Sequence, residues 1–168
     1  MMGDQDWNPR VVQLFLKRGH RLPMQAVEQV RAVAGQGLEG DASFGRRQRQ
    51  VLLVNENHLA ELNLRPGDVR ENITVGGSSV GPFVPGERLT IGEAVLEVIS
   101  DCEPCQRMDD LRPGLQGLIR GRRGSLATVV VGGQIRVGDP VRPSRAVAAR
   151  SLDAAPWTTR GALEGKLP

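Results

Sequence analysis

The residues best suited to chemistry lie together in Cys102-Glu103-Pro104-Cys105, which holds both cysteines of the chain. A thiolate is a nucleophile and a soft metal ligand, and a neighbouring cation or helix N-terminus favours it. Arg107 lies two residues on, and Gln106 opens a short segment with helical character. Four chemistries are open for this stretch. Zinc needs four ligands, and only His20 and His58 are left as nitrogen donors, without ligand-pair spacing. A dithiol redox centre of the Cys-x-x-Cys type belongs early in a βαβ unit, whereas several β-prone segments precede this one. Two cysteines packing as small hydrophobes is the third possibility, against which Pro104 and the charged neighbours weigh. The fourth is a single reactive or metal-ligating thiolate, with the other cysteine in support.

Three arginine-bearing segments supply candidate anion contacts: Gly45-Arg46-Arg47-Gln48-Arg49, Arg70-Glu71-Asn72 and Arg120-Gly121-Arg122-Arg123-Gly124. The guanidinium fork matches phosphate and carboxylate. Glycines beside it let backbone N–H groups approach an anion closely. The functional reading is a pocket for a phosphorylated ligand; the plain one is a solvated basic face, with the arginine excess following genome composition. All of the 22 basic residues except Lys17 and Lys166 are arginines, and the net charge is +3. A basic barrel that binds nucleic acid is a further possibility, but aromatics make up 3% of the chain and tyrosine is absent, which argues against base stacking. Asp41 and Asp109 lie near these segments without a visible activating partner for base catalysis. His58 suits a surface position better than a catalytic one.

The elements that must position these groups are short. Val11–Leu16 is a β-prone run between Pro9 and Gly19, and Gln25–Ala34 carries valines that favour one more strand. A glycine-punctuated loop over 35–45 follows, of a length that tends to be functional. Val51–Val54 has the continuous apolar character of a buried strand, and Asn55 is placed to cap a short helix with Leu59 and Leu62 facing inward. Strands are expected over Glu71–Val75, Ser79–Val84, Arg88–Ile91, Ala94–Ser100 and Ser125–Val131, and Gly132-Gly133 is expected to turn the last of these into a hairpin with Gln134–Val137. Leu115–Arg120 suits one or two helical turns. Short strands with glycine turns throughout point to a mainly β fold, a β-barrel or sandwich with small helices in its connections, and the repeated strand–helix alternation of a doubly wound α/β fold is absent. The chain divides into an N-terminal segment over 1–10, the barrel domain over 11–144 and a C-terminal helix or tail over 145–168, docked by Trp157. At 168 residues this is one domain. No stretch approaches the ~18 apolar residues of a membrane span, the first residues lack a signal core, and two cysteines make no disulfide framework. The expectation is a reduced, cytoplasmic protein without membrane partners.

Read in order, Gly37-Leu38-Glu39-Gly40-Asp41, Arg49-Gln50-Val51-Leu52-Leu53, Pro66-Gly67-Asp68-Val69-Arg70-Glu71-Asn72-Ile73-Thr74, Pro85-Gly86-Glu87-Arg88-Leu89, Cys102-Glu103-Pro104-Cys105 and Gly132-Gly133-Gln134-Ile135-Arg136-Val137-Gly138-Asp139-Pro140-Val141 resemble the MOSC domain, the module named from the C-terminal part of molybdenum cofactor sulfurases. The resemblance spans about Val11 to Val141. It implies a barrel-like fold that binds molybdenum cofactor (molybdopterin) or handles sulfur for it, as a reductase of N-oxygenated compounds or as a carrier. It implies Cys105 as the reactive residue and metal ligand, with Arg70 and Asn72 where the pterin and its phosphate are held. Arg46, Arg47 and Arg123 complete the expected cofactor contacts. It also implies partner proteins, an electron donor or a cysteine desulfurase. Pyridoxal phosphate would belong to that desulfurase, since the module stands here without the desulfurase, N-terminal barrel or ferredoxin domains of its larger relatives.

Overall fold

The computed structural model describes residues 9–77, 80 and 82–144. The expected C-terminal helix and tail, and most of the N-terminal segment, lie outside them. Two sheets make up the fold. The larger has eight strands in the order β11-β7-β8-β9-β5-β6-β1-β2 and the smaller three in the order β10-β3-β4. Their ranges are β1 Arg10–Lys17, β2 Met24–Val27, β3 Gln29–Val33, β4 Gly37–Leu38, β5 Val51–Asn55, β6 Ile73–Gly76, β7 Arg88–Ile91, β8 Ala94–Asp101, β9 Ser125–Val131, β10 Gly133–Arg136 and β11 Val141–Pro143. Three short helices fill connections: α1 Glu56–Glu61, α2 Gln106–Leu111 and α3 Leu115–Leu118. None of the described helices is long and apolar enough to cross a membrane.

β5 explains the layering. All five of its residues are buried, as expected of a continuous apolar run covered on both faces. Val51 and Leu53 join a core between the two sheets, with Leu14, Ile73 and Leu96 from the large sheet and Val30, Leu38 and Ile135 from the small one. Leu52 and Val54 point the other way, into a second core with Leu59, Cys102, Met108, Leu115 and Ile119 under the helices. Asn55 ends the strand and caps α1, its side chain accepting from the Asn57 N–H at 2.9 Å. Leu59 then faces inward, fully buried.

The mainly β class is as expected, but among the described residues the ladders do not close into a barrel. The valine-rich segment 25–34 is two strands, split by a bend at Glu28. β2 stays at the edge of the large sheet while β3 leaves it to pair with β10. The hairpin expected at Gly132-Gly133 is therefore absent. These glycines serve close approach instead of a tight turn: a Cβ on Gly132 would lie 2.9 Å from the Ala32 carbonyl, and one on Gly133 2.7 Å from that of Glu93. Of the strand expected over Ser79–Val84, the described residues Val80 and 82–84 have no ladder partner, and Pro82 cannot donate to one. Only backbone bonds between Pro9–Val11 and Gly138–Val141, with an isolated bridge from Arg10 to Pro140, bring the start of β1 against β11.

Candidate functional site

A cavity of about 550 Å3 gathers side chains from six separate stretches. β1 ends in Lys17, the loop after it brings His20 and Arg21, and the 40s loop brings Ser43, Arg46 and Arg49. The turn before β6 supplies Arg70 and Asn72, the segment after β8 supplies Cys102, Cys105, Arg107 and Asp110, and Arg123 stands just before β9. Five of the six residues singled out in the sequence thus meet here: Cys105, Arg46, Arg70, Asn72 and Arg123. Arg47 does not line this cavity; it faces an open depression with Arg46, Gln48 and Arg49.

The two cysteines have separate environments. Cys102 is buried in the helix-side core, and its N–H donates to the Gly124 carbonyl at 2.8 Å, tying the cysteine stretch to the start of β9. Cys105 is exposed and occupies the N-cap of α2, where its side chain caps nothing. Among the described residues no group of His, Cys, Asp and Glu has metal-site geometry, and of the two thiols lining the cavity Cys105 is the exposed one.

Asp41 and Asn72 frame the cavity. Asn72 accepts from the Leu52 N–H at 3.0 Å and donates to the Phe15 carbonyl at 3.2 Å and to Asp41 Oδ2 at 2.8 Å. Asp41 also accepts from the backbone N–H groups of Lys17 at 2.7 Å and Ser43 at 2.8 Å. Four chain segments are joined through these two buried side chains. Truncating Asn72 leaves buried Leu52 N–H and Phe15 C=O groups without that partner, so Asn72→Ala is expected to cost about 2–4 kcal/mol in urea denaturation. Gln50 does similar work for the 40s loop. It donates to the carbonyls of Gly35 at 3.0 Å and Arg46 at 2.7 Å and accepts from the Val129 N–H at 2.9 Å.

Arg70 is a clamp as well as a charge. Its φ of 64° is left-handed, a conformation with a steric penalty for a residue carrying a Cβ. From there its guanidinium donates to the carbonyls of Leu22 at 2.6 Å and Gly19 at 3.0 Å, holding the loop that carries His20 and Arg21. Its Nε is buried without a partner.

The electrostatics are one-sided. Seven cationic side chains and one carboxylate, Asp110, line the cavity. None of the three ion pairs among the described residues involves any of those seven. Burial lowers the pKa of Lys17, Asp41 opposes this, and the charges of Arg70, Arg46 and Arg123 lower it further. Burial and then the Arg107 charge lower that of Arg70. Arg123 is buried, and its Nε and Nη1 have no partner. Gly124 lets it sit there: a Cβ at that position would lie 2.5 Å from the Leu53 carbonyl.

Beneath this group Glu71 is wholly buried. It accepts from the Gly67 N–H at 2.6 Å and the Thr74 hydroxyl at 2.9 Å, and its Oε2 is unpartnered. Burial raises its pKa, against the pull of those bonds and of Arg123. The folded state therefore holds this proton more tightly than the unfolded one, so Glu71's contribution is full below the unfolded pKa and is lost as pH rises through the folded pKa. Glu71→Gln keeps the acceptor without the titration. The variant is expected to lose that part of the slope and to gain stability over the wild type towards neutral pH, read from urea midpoints across a pH series.

Sequence comparison identifies the fold that carries this cavity. The family model of the MOSC domain matches residues 39–142, more than half of the chain and nearly all of the cavity-bearing segments. The chain belongs to the MOSC domain family. Among solved structures, this MOSC protein is similar to the YuaD protein from Bacillus subtilis, at 16% identity and a TM-score of 0.70, over 80% of this chain and 94% of that one. It is also similar to YiiM from Escherichia coli, at 20% identity and a TM-score of 0.62, over 80% and 69% of the two chains. YiiM from Geobacillus stearothermophilus aligns at 18% identity and a TM-score of 0.66, over 82% and 75%. At these identities the likeness is one of fold. No curated protein matches the sequence.

Several lining residues of the MOSC cavity were not singled out by the sequence. Lys17 and Arg21 carry no local motif, and Arg49 and Gln50 stood within motifs without a role of their own. Lys17 did offer one signal, as the lysine of an otherwise all-arginine domain. His58 lies away from the cavity, in a small cleft with Asp101 and Arg122. Asp109 ties helices together, accepting from the Gln116 N–H at 2.8 Å.

Proposed function

We propose that this MOSC domain binds molybdenum cofactor, with the Cys105 sulfur as the protein's ligand to the metal, and acts as a reductase of N-oxygenated compounds. One observation supports this above the others: an exposed thiol and a set of arginines without ion-pair partners line the same cavity. The residues present fit the group. A thiolate is a suitable soft ligand for a transition metal. The unpartnered Nε and Nη1 of Arg123 and Nε of Arg70 are donors in want of an oxyanion. The volume lies within the range of roughly 300–1,000 Å3 that small-molecule sites occupy.

In this reading Arg46 and Arg123 hold the phosphate, Arg70 contributes charge while it clamps the Gly19–Leu22 loop, and Cys105 fixes the metal end. Asn72 frames the pocket; its two amide hydrogens are already donated to Phe15 and Asp41. The bound cofactor supplies a redox-active metal, and the protein sets orientation and access. The exposure of Cys105 also supports a second reading, a carrier that takes persulfide sulfur from a pyridoxal-phosphate-dependent cysteine desulfurase, itself a partner protein.

Protein from a cofactor-competent host is expected to carry molybdenum and a pterin at near one per chain, measured by metal analysis and pterin fluorescence. With reduced viologen as donor it should turn over a hydroxylamine. Persulfide on Cys105 after incubation with a desulfurase, in protein that shows no such turnover, selects the carrier. Protein free of both molybdenum and pterin rejects the cofactor reading.

A further inference from the structure

A second cavity, of about 650 Å3, adjoins the first. Arg21, Arg70, Arg107 and Asp110 line both and so form a common wall. The two differ in charge. Against seven cations and one carboxylate in the first, the second has three arginines and two carboxylates, Asp68 and Asp110. An anion is drawn to the first, and the nearly balanced second suits a molecule without net charge. Apart from Gly67, the rest of its lining is apolar: Phe15, Pro23, Met24, Pro66 and Leu111. Leu111 is 46% exposed, a large hydrophobic side chain bordering this space.

Helix α2 connects the two cavities. Cys105 stands just before its first residue, Arg107 and Asp110 stand in the common wall, and Leu111 ends it. Six residues of rise separate Cys105 from Leu111, about 9 Å along the axis. A small organic molecule resting on Leu111 and Met24 is long enough to present one end across the wall to the thiol. Asp68 is already engaged, accepting from the Arg65 N–H at 2.8 Å. Asp110 is the wall carboxylate that faces the polar end.

We infer that the second cavity binds the body of the reacting molecule: a small, electrically neutral organic compound with a compact apolar body and a hydrogen-bonding head aimed at Cys105. This rests on the reductase reading, and its test separates the two. Protein from a cofactor-competent host, labelled with 13C at the methionine methyls, is titrated with N-phenylhydroxylamine in the absence of an electron donor. The Met24 methyl resonance is expected to shift saturably, the buried Met108 methyl to move little, and inorganic phosphate to leave Met24 in place. Leu111→Glu, at an exposed position, is expected to weaken binding at least tenfold with molybdenum content unchanged. A Met24 resonance that stays put, or a Leu111→Glu variant that binds as the wild type does, overturns the assignment. Molybdenum measured in the same samples reports on the cofactor reading alone: metal-free protein whose Met24 still shifts keeps the subsite and removes the cofactor.

Discussion

Cys105→Ala is expected to leave the fold intact and to strip the protein of molybdenum. Cys105 is exposed and its side chain caps nothing, so the stability change should stay within about 0.5 kcal/mol. As the proposed ligand to the metal, its loss should lower metal retention by more than about 100-fold, beyond the range of groups that only orient a ligand. Cys102→Ala should show the reverse pattern. Cys102 lies in the helix-side core with Met108 and Leu115, and a small cavity there costs about 1 kcal/mol while metal content stays unchanged. Metal analysis and urea denaturation of both variants read the two effects separately. Full molybdenum and full reductase turnover in Cys105→Ala would rule the ligand assignment out.

Arg123→Met should make the protein more stable and less able to bind an anion. A buried guanidinium with two unpartnered donors is held at an electrostatic cost, and an apolar side chain of similar volume removes it, for a gain of about 1–3 kcal/mol. The neighbouring Glu71 carboxyl loses the positive charge that favoured its ionised form, so the variant should also show a stronger fall in stability with rising pH. The wild type is expected to melt higher in phosphate, since a ligand that binds only the folded state stabilises it by mass action. The variant should show almost no phosphate effect. A variant that is destabilised and still responds to phosphate would mean that Arg123 serves the core and not the ligand.

What the sequence showed of this fold was mostly local. Asn55 could be recognised as a helix cap because capping needs only the residues that follow it. Val51–Val54 could be recognised as a buried strand because its apolar run is continuous. The Gly132-Gly133 pair was misjudged because a turn and a close backbone approach both ask for glycine, and only the distant partners, Ala32 and Glu93, distinguish them. The open sheets were missed for a similar reason: the change of partner between β2 and β3 is a single bend at Glu28. In the site, cysteine and arginine were visible by type, and their convergence was supported by the order of the motifs. Asn72 drew attention as a cofactor contact, but its bonds to Leu52, Phe15 and Asp41 show a framing role that spacing alone does not reveal. Lys17 enters the cavity only because β1 ends beside the 40s loop.

The backbone bonds between Pro9–Val11 and Gly138–Val141 make this domain a cassette. The chain enters and leaves through neighbouring points, as in domains that tolerate insertion and permutation. Those points lie at the far end of β1 from Lys17, about 23 Å away at the usual rise of a strand. A host protein would need only two adjacent attachment sites to receive the whole unit. The cavity that Lys17 lines would then lie at the end of β1 away from the seam.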